Sequence, residues 1–550
     1  MQITFLGQAG LFVETKGVSI LCDPWFNPSF FGAWYPFPAN DGIDPERIGH
    51  PTYLYVSHLH HDHFDPRYLA AHVDKDATVL LPDYPLDDLR KELTKLGFTT
   101  FIESKDLEPF EAGPLRLTIH ALVAPTDGPI GDSALLIDDG DVRVLNMNDS
   151  RPPEPDRLIA EGPIDVAFLQ FSGAIWYPMV YDYPDNAQQV LGHKKRVAQS
   201  ARAFRYIEVL DPAFVVPSAG PPCFLDDDLF EHNDIHGNEW NTFPDQPTFL
   251  RYIEEQGRTG GRLMLPGTVA DIAPGRMDLT HPVDPATVFD DKRAYLEAYQ
   301  ARKRDVIADE RARWKRPRVD LLAELQAWWD PLLEQADMIC AGINQPVLLD
   351  CEDEQVVIDF EQRIVRRPIE DENPRYQFAI PRDLIDHLVH DKVDDWVNEL
   401  FLSMRFTAHR RGPYNDYIYT WFKCLNQERL QYAEGFYAEH GPTQGTFELA
   451  GFNVQRRCPH MKADLTRFAT VEDGVMTCAL HAWQWDLASG ACLTSEGHVL
   501  YARPVGAEDD GTDGPGGTTG GKAPDLAALA AATSDVETAA MIAGVERDDD

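Results

Sequence analysis

The residues Ser57-His58-Leu59-His60-His61-Asp62-His63 crowd metal-ligand side chains into one short stretch. A metal ion needs several lone-pair donors converging within about 2 Å of one point. His58 and His60 lie two apart, so on an extended segment they point the same way. Asp62 and His63 can turn toward a second position nearby. The apolar run over 52–57 reads as a buried strand that delivers this loop at its C-terminal end. A His-rich surface loop would not need such a strand. Asp149, in Leu145-Asn146-Met147-Asn148-Asp149-Ser150, ends a later strand and is the best additional ligand, with a turn or helix cap as its plainer role. Far downstream stand Cys458-Pro459-His460 and Cys478-Ala479-Leu480-His481, with 17 residues between them. Two thiolates and two imidazoles suit a [2Fe–2S] cluster in which two His replace two Cys on one iron, raising its potential. Zinc is the alternative occupant of such a set. An electron-carrying cluster beside a second metal site points to redox catalysis, not plain hydrolysis.

The elements that must position these groups follow from pattern. Residues 1–284 alternate strands and helices and read as one domain carrying the His loop. Its strands are predicted at 3–6, 10–14, 19–22, 52–57, 115–122, 133–137, 142–146, 166–170 and 213–217, with a helix over 187–209. Asp138-Asp139-Gly140-Asp141 is a hairpin signal. Residues 285–440 form a helical and mixed accessory region. It has predicted helices over 292–315, 321–335, 383–389, 394–402 and 413–425, and a small antiparallel sheet from 355–360, 361–367 and 375–380. Residues 441–504 are short strands and turns, a small all-β domain. Residues 505–550 read as a disordered acidic tail with 11 acidic and 2 basic residues, within which 525–545 is Ala-rich and marginally helical.

Composition narrows the setting. The 550 residues hold 90 acidic and 49 basic side chains, a formal net charge of −41. That field repels nucleic acid and anionic membrane surfaces, so neither is an expected partner. No apolar run reaches membrane-spanning length, and Met1-Gln2-Ile3-Thr4 enters a strand pattern with no leader. Of eight cysteines, six (Cys22, Cys223, Cys340, Cys351, Cys424, Cys492) are scattered without a disulfide framework. A reducing, cytoplasmic compartment is expected.

The His-x-His-x-Asp-His loop resembles that of metallo-β-lactamase-like proteins, which implies an αββα sandwich and a bridging Asp at Asp149. The resemblance also places a ligand His in the loop 124–132, where this chain has none; Asp127 or Asp132 is the candidate substitute. His120 sits inside a strand and is expected to pack. A late His is likewise replaced by Pro217-Ser218-Ala219-Gly220-Pro221-Pro222. Fewer imidazoles and more carboxylate suit iron better than a two-zinc hydrolase. The Cys/His pairs lack the extra Cys of respiratory-chain clusters. They continue as His481-Ala482-Trp483, which resembles oxygenase-associated Rieske domains.

The order of pieces resembles CMP-N-acetylneuraminate hydroxylase and its bacterial relatives, on the evidence of 57–63, Asn146–Pro152, Phe171–Met179, Pro217–Phe224 and Trp396–Arg405. Here the Rieske domain is C-terminal instead of N-terminal. The resemblance implies an α+β multidomain enzyme: a metallo-β-lactamase-like domain, an α-rich middle and a C-terminal all-β Rieske domain. Its implied activity is a monooxygenase that hydroxylates or N-oxygenates a polar small metabolite of amino-sugar or nucleotide-sugar type. One or two non-haem irons would be held by His58, His60, Asp62, His63 and Asp149, with His58, His60 and Asp149 catalytic. The [2Fe–2S] cluster would sit on Cys458, His460, Cys478 and His481. Partners implied are O₂, a ferredoxin with its reductase or a similar electron donor, and a second copy of the chain if the cluster serves the iron across a homo-oligomer. The competing expectation is a zinc-dependent hydrolase with an appended redox or regulatory Rieske domain. Arg456 and Arg457 are candidate contacts for an acidic donor, with surface solvation as the plainer role. Trp25, Phe26, Trp34 and Tyr35 are candidate pocket walls, or simply core.

Overall fold

The computed structural model describes residues 1–124, 131–235, 241–438, 445–460, 462–480, 482–495 and 497–506. His481, Asp127 and the acidic tail beyond 506 therefore lie outside the described residues. The chain divides into two compact units. The first comprises 1–179, 192–315 and 397–405; the second comprises 180–191, 316–396 and the chain from 406 onward.

Two sheets build the first unit. An eight-stranded sheet runs in the order Arg276–Thr280, Val269–Ala273, Gln2–Gly7, Gly10–Thr15, Val18–Cys22, Tyr53–Tyr55, Thr78–Leu81, Phe101–Glu103. Its first pairings are antiparallel, and from Val18–Cys22 onward they are parallel. A six-stranded sheet runs Phe214–Ser218, Val166–Gln170, Arg143–Asn146, Asp132–Asp138, Leu115–Leu122, Phe110–Ala112, the first three parallel. Alternation sets the layers. Ile3, Phe5, Leu11, Val13, Ile20 and Cys22 share one core with Leu117, Ile119, Leu135, Ile137, Val144 and Phe168 of the other sheet. The intervening Leu6, Phe12 and Leu21 face a second core with Tyr68, Leu69, Leu89 and Leu93 from the helices Pro66–His72 and Asp88–Lys95. On the six-stranded side, Phe171 stacks on Phe249 of the helix Gln246–Glu255, and Tyr206 of the helix Asp185–Leu210 bonds the carbonyl of Pro152. The layering is the helix–sheet–sheet–helix sandwich that the resemblance implies.

The helix Lys292–Arg313, read from sequence with the accessory region, lies in the first unit. Its Leu296 and Tyr299 join Tyr35, Phe37 and Leu225 in one apolar cluster. Phe224 of this unit borders His232, whose burial pushes its pKa down to about 4. Between pH 6.5 and 4 the unfolded chain binds a proton there that the folded chain does not. Stability is then expected to fall with pH across that window, by on the order of 3 kcal/mol in total. Denaturant midpoints from pH 7 to pH 4 should show this slope, and His232→Leu should flatten it.

The second unit holds a five-stranded sheet, ordered Ile364–Arg366, Glu354–Asp359, Pro346–Cys351, Tyr376–Ala379, Thr407–Arg410. This corrects the expected small antiparallel sheet: Pro346–Cys351 and Tyr376–Ala379 pair in parallel, and two of the five strands were not expected. Trp329, Trp396, Trp421 and Phe422 pack ring against ring at its core. The helix expected over 394–402 is reduced to the π-type turn Val397–Phe401. Two three-stranded sheets, Thr446–Leu449 with Phe452–Gln455 and Ala502–Pro504, and Ala469–Glu472 with Val475–Cys478 and Trp483–Asp486, make the small β domain.

Candidate metal and cluster centres

Parallel strands end together, and in such sheets ligands gather at the carboxyl edge. Asp23 follows Val18–Cys22, Ser57 follows Tyr53–Tyr55, Asp149 follows Arg143–Asn146, and Gln170 closes Val166–Gln170. One donor atom each from His58, His60 and Asp149 lies within 4.8 Å of the others, so a single ion can be reached by all three. His58 Nε2 and His60 Nδ1 stand 2.9 Å apart. His63 is fully buried, and its Nε2 makes no hydrogen bond among the described residues. That nitrogen lies 3.6 Å from Asp149 and 3.7 Å from Asp62. A sealed imidazole nitrogen between two carboxylates is what a second cation position requires.

Partners behind these groups set their orientation. Asp23 accepts from the Ser57 amide and hydroxyl, both at 2.7 Å, and from His63 Nδ1 at 3.0 Å. Holding the proton on Nδ1 leaves the His63 Nε2 lone pair facing inward, the usual second layer of a metal site. For His58 the Nδ1 partner is Ser57 Oγ at 2.9 Å, with Asp132 3.2 Å from the same nitrogen. The candidate substitute ligand thus sits behind a ligand candidate and outside the grouped donors. Gln8 donates to Asp62 and Gln170 to Asp149, each at 2.7 Å. Burial pushes Asp62 up, and His63 opposes it. Burial acts the same way on Asp149, but the charge of the adjacent His63 holds that carboxyl below its ordinary value. Two further buttresses come from the segment 397–405: Asn398 donates to the carbonyl of Leu59, and Glu399 lies 3.1 Å from His61.

Other candidates have structural duties. His120 pairs with Asp106 at 2.7 Å. Trp25, Trp34 and Tyr35 are each 1% exposed and packed, and Phe26 stacks on Tyr68. Arg456 is held by Asp464 at 2.7 Å. Asp23, Gln8, Gln170 and Glu399 were not anticipated. Only Asp23 carried a signal, an acidic residue directly after an apolar strand.

In the second unit, Cys458 and Cys478 are buried. The His460 ring stacks on Trp483 at 3.7 Å, which fixes the imidazole plane. Trp483 meets His498 edge-on at 5.0 Å. His498 and Ser495 both bond Asp416, at 2.8 and 3.0 Å, on the helix Asp416–Lys423 of the middle region. Asp416→Ala would strand both groups in a buried setting. It is expected to lower stability by about 2 kcal/mol or more, read as a lower denaturant midpoint for loss of the visible cluster absorption.

Three families match this chain in succession. Residues 2–219 match the beta-lactamase superfamily domain, 321–439 the Rv3818-like, SCP2-like domain, and 451–500 the Rieske [2Fe-2S] domain. A protein of Mycolicibacterium smegmatis named for a Rieske 2Fe-2S iron-sulfur centre is 50% identical over 518 residues, spanning 92% of this chain and 100% of that one. The chain belongs to this family of Rieske 2Fe-2S iron-sulfur proteins. A member from Mycobacterium tuberculosis H37Rv is 48% identical over 511 residues, covering 91% of this chain and 99% of that chain. Among solved structures, CmlA, a diiron beta-hydroxylase from Streptomyces venezuelae, is similar at 21% identity, covering 48% of this chain and 52% of that one, with a TM-score of 0.32. The Rieske protein thus combines a metallo-β-lactamase fold, a helical middle and a Rieske domain. None of its described helices is long and apolar enough to cross a membrane.

Proposed function

We propose that this Rieske protein is a non-haem iron oxygenase that hydroxylates or N-oxygenates a polar small metabolite of amino-sugar or nucleotide-sugar kind. The observation that carries the reading is the convergence of His58, His60 and Asp149 on one point in a chain that also holds a Rieske domain. The donor set fits iron. It mixes imidazole with carboxylate, and the buried His63 Nε2 beside Asp62 and Asp149 offers a second position. Iron bound there supplies O₂ activation, and the cluster on Cys458, His460, Cys478 and His481 supplies electrons one at a time. Asp23, bonded to His63 Nδ1, and Ser57, bonded to His58 Nδ1, keep the imidazoles in the ligating tautomer. Gln170 and Gln8 orient the carboxylates by donating to them. Overall, one oxygen atom enters the substrate and the other leaves as water, using two electrons and two protons. The electrons come from a ferredoxin with its reductase or a similar cytoplasmic donor.

Metal analysis of anaerobically purified protein tests the reading. About three irons per chain are expected, two in the cluster and one on the His58 site, or about four if the His63 position also fills. Two irons with stoichiometric zinc would instead favour a zinc hydrolase carrying a redox module.

A further inference from the structure

The carboxyl edge of the six-stranded sheet holds polar groups that the metal positions do not use. Arg151 follows Asp149 on the same loop. Its Nη2 donates to Gln170 at 3.1 Å, and Gln170 in turn donates to Asp149. Arg151 Nε is sealed from solvent with no partner among the described residues. Arg202, on the helix Asp185–Leu210, has no hydrogen bond or ion pair there, and its Nη2 is sealed as well. A protein with a net charge of −41 has no shortage of carboxylates to offer these cations. The charged or ionisable groups acting on Arg202 are Arg151, Tyr206 and Asp149. Burial, with Arg151 pushing the same way, brings the Arg202 guanidinium down to about 9. Asp149 is the lone countercharge of the three, and it is engaged with His63 and Gln170.

Neutral groups with unmet capacity stand on the elements that carry this pair and on those next to them. Ser172 Oγ, Gln199 Oε1, Ser218 Oγ and Thr242 Oγ1 are all buried and unpartnered among the described residues. Gln199 lies three residues before Arg202, on the same helical face. Gly173 and Gly220 keep the backbone close to them. A Cβ on Gly173 would lie 2.2 Å from Gln199 Nε2, and one on Gly220 would lie 2.2 Å from Ser172 Oγ. Buried polar atoms in native proteins are hydrogen-bonded to protein, water or ligand, so a cluster of unmet ones marks a place where something else binds.

We infer that Arg151 and Arg202 form a receptor for a carboxylate or phosphate group of the substrate, with Ser172, Gln199 and Thr242 reading its neutral polar groups. This rests on the oxygenase reading and narrows it to anionic substrates. Guanidinium groups bind either oxyanion through paired N–H donors. Asp149 would then link the two functions, as metal ligand on one side and through Gln170 to Arg151 on the other.

Equilibrium dialysis of the full-length, metal-loaded protein against inorganic phosphate, and separately against acetate, tests the receptor. The wild-type chain is expected to bind at least one, and Arg202→Gln to weaken that binding at least tenfold, the fold-change of about 1.4 kcal/mol. Tighter phosphate binding would assign a phosphoryl group, and tighter acetate binding a carboxylate. In parallel, labelling wild-type protein with phenylglyoxal should modify the Arg151 and Arg202 peptides, with protection by the bound anion. This arm holds even if Arg202→Gln fails to fold. Binding of neither anion, equal binding by wild type and variant, or labelling unchanged by anion would overturn the inference. Metal content measured on the same samples separates the two readings. Iron present without anion binding sinks the receptor alone. Zinc in place of iron with anion binding intact sinks the oxygenase reading alone.

Discussion

His58→Ala and His60→Ala are each expected to abolish substrate oxygenation while leaving the visible absorption of the cluster unchanged. Both imidazoles belong to the donor group with Asp149, and no other imidazole joins that group among the described residues. Losing one leaves two donors, too few to hold a catalytic ion against water and buffer. The rate should fall on the order of a thousandfold or more, the several kcal/mol that a bound metal contributes to a transition state. Iron content should drop by about one per chain. Asp23→Asn makes a graded companion. It keeps the shape but weakens acceptance from His63 Nδ1 and Ser57, and second-layer losses of this kind cost about ten- to a hundredfold. Oxygenated product from His58→Ala at the wild-type rate would end the oxygenase reading.

Cys458→Ser and Cys478→Ser should give the reciprocal result. The visible bands of the [2Fe–2S] centre disappear and about two irons are lost per chain, while the His58 site keeps its metal. The small β domain is built of short strands, and binding of the cluster there would contribute folding free energy directly. Its local stability should therefore collapse as well, seen as early proteolysis within 445–506. Turnover driven by a ferredoxin and its reductase should stop. If turnover continued undiminished without the cluster, the electron-relay role would fail.

What sequence could reveal depended on how locally each feature is encoded. The ligand candidates from His58 to His63 were legible because they share one loop behind one strand. Asp149 was legible because it ends another. Sheet layers followed from two-residue alternation at 3–6, 10–14 and 19–22. Asp23, Gln170 and Arg202 were not legible as one neighbourhood, since only the pairing of distant strands and the packing of a helix bring them together. The parallel pairing of Pro346–Cys351 with Tyr376–Ala379 was hidden for the same reason. The π-type turn at Val397–Phe401 looks like ordinary helix in sequence because its apolar spacing is close to helical.

The segment Val397–Arg405 has a consequence for any attempt to divide the gene. It is flanked on both sides by chain of the second unit, yet it supplies Asn398 to Leu59, Glu399 to His61 and Arg405 to Asp226 in the first. Residues 180–191 make the opposite exchange. A single cut after residue 315 would therefore free neither half intact. The metal-bearing half would have to be re-joined to a nine-residue insert from elsewhere in the chain. A fusion or truncation at that point would cut across both units, so each depends on chain that lies beyond the cut.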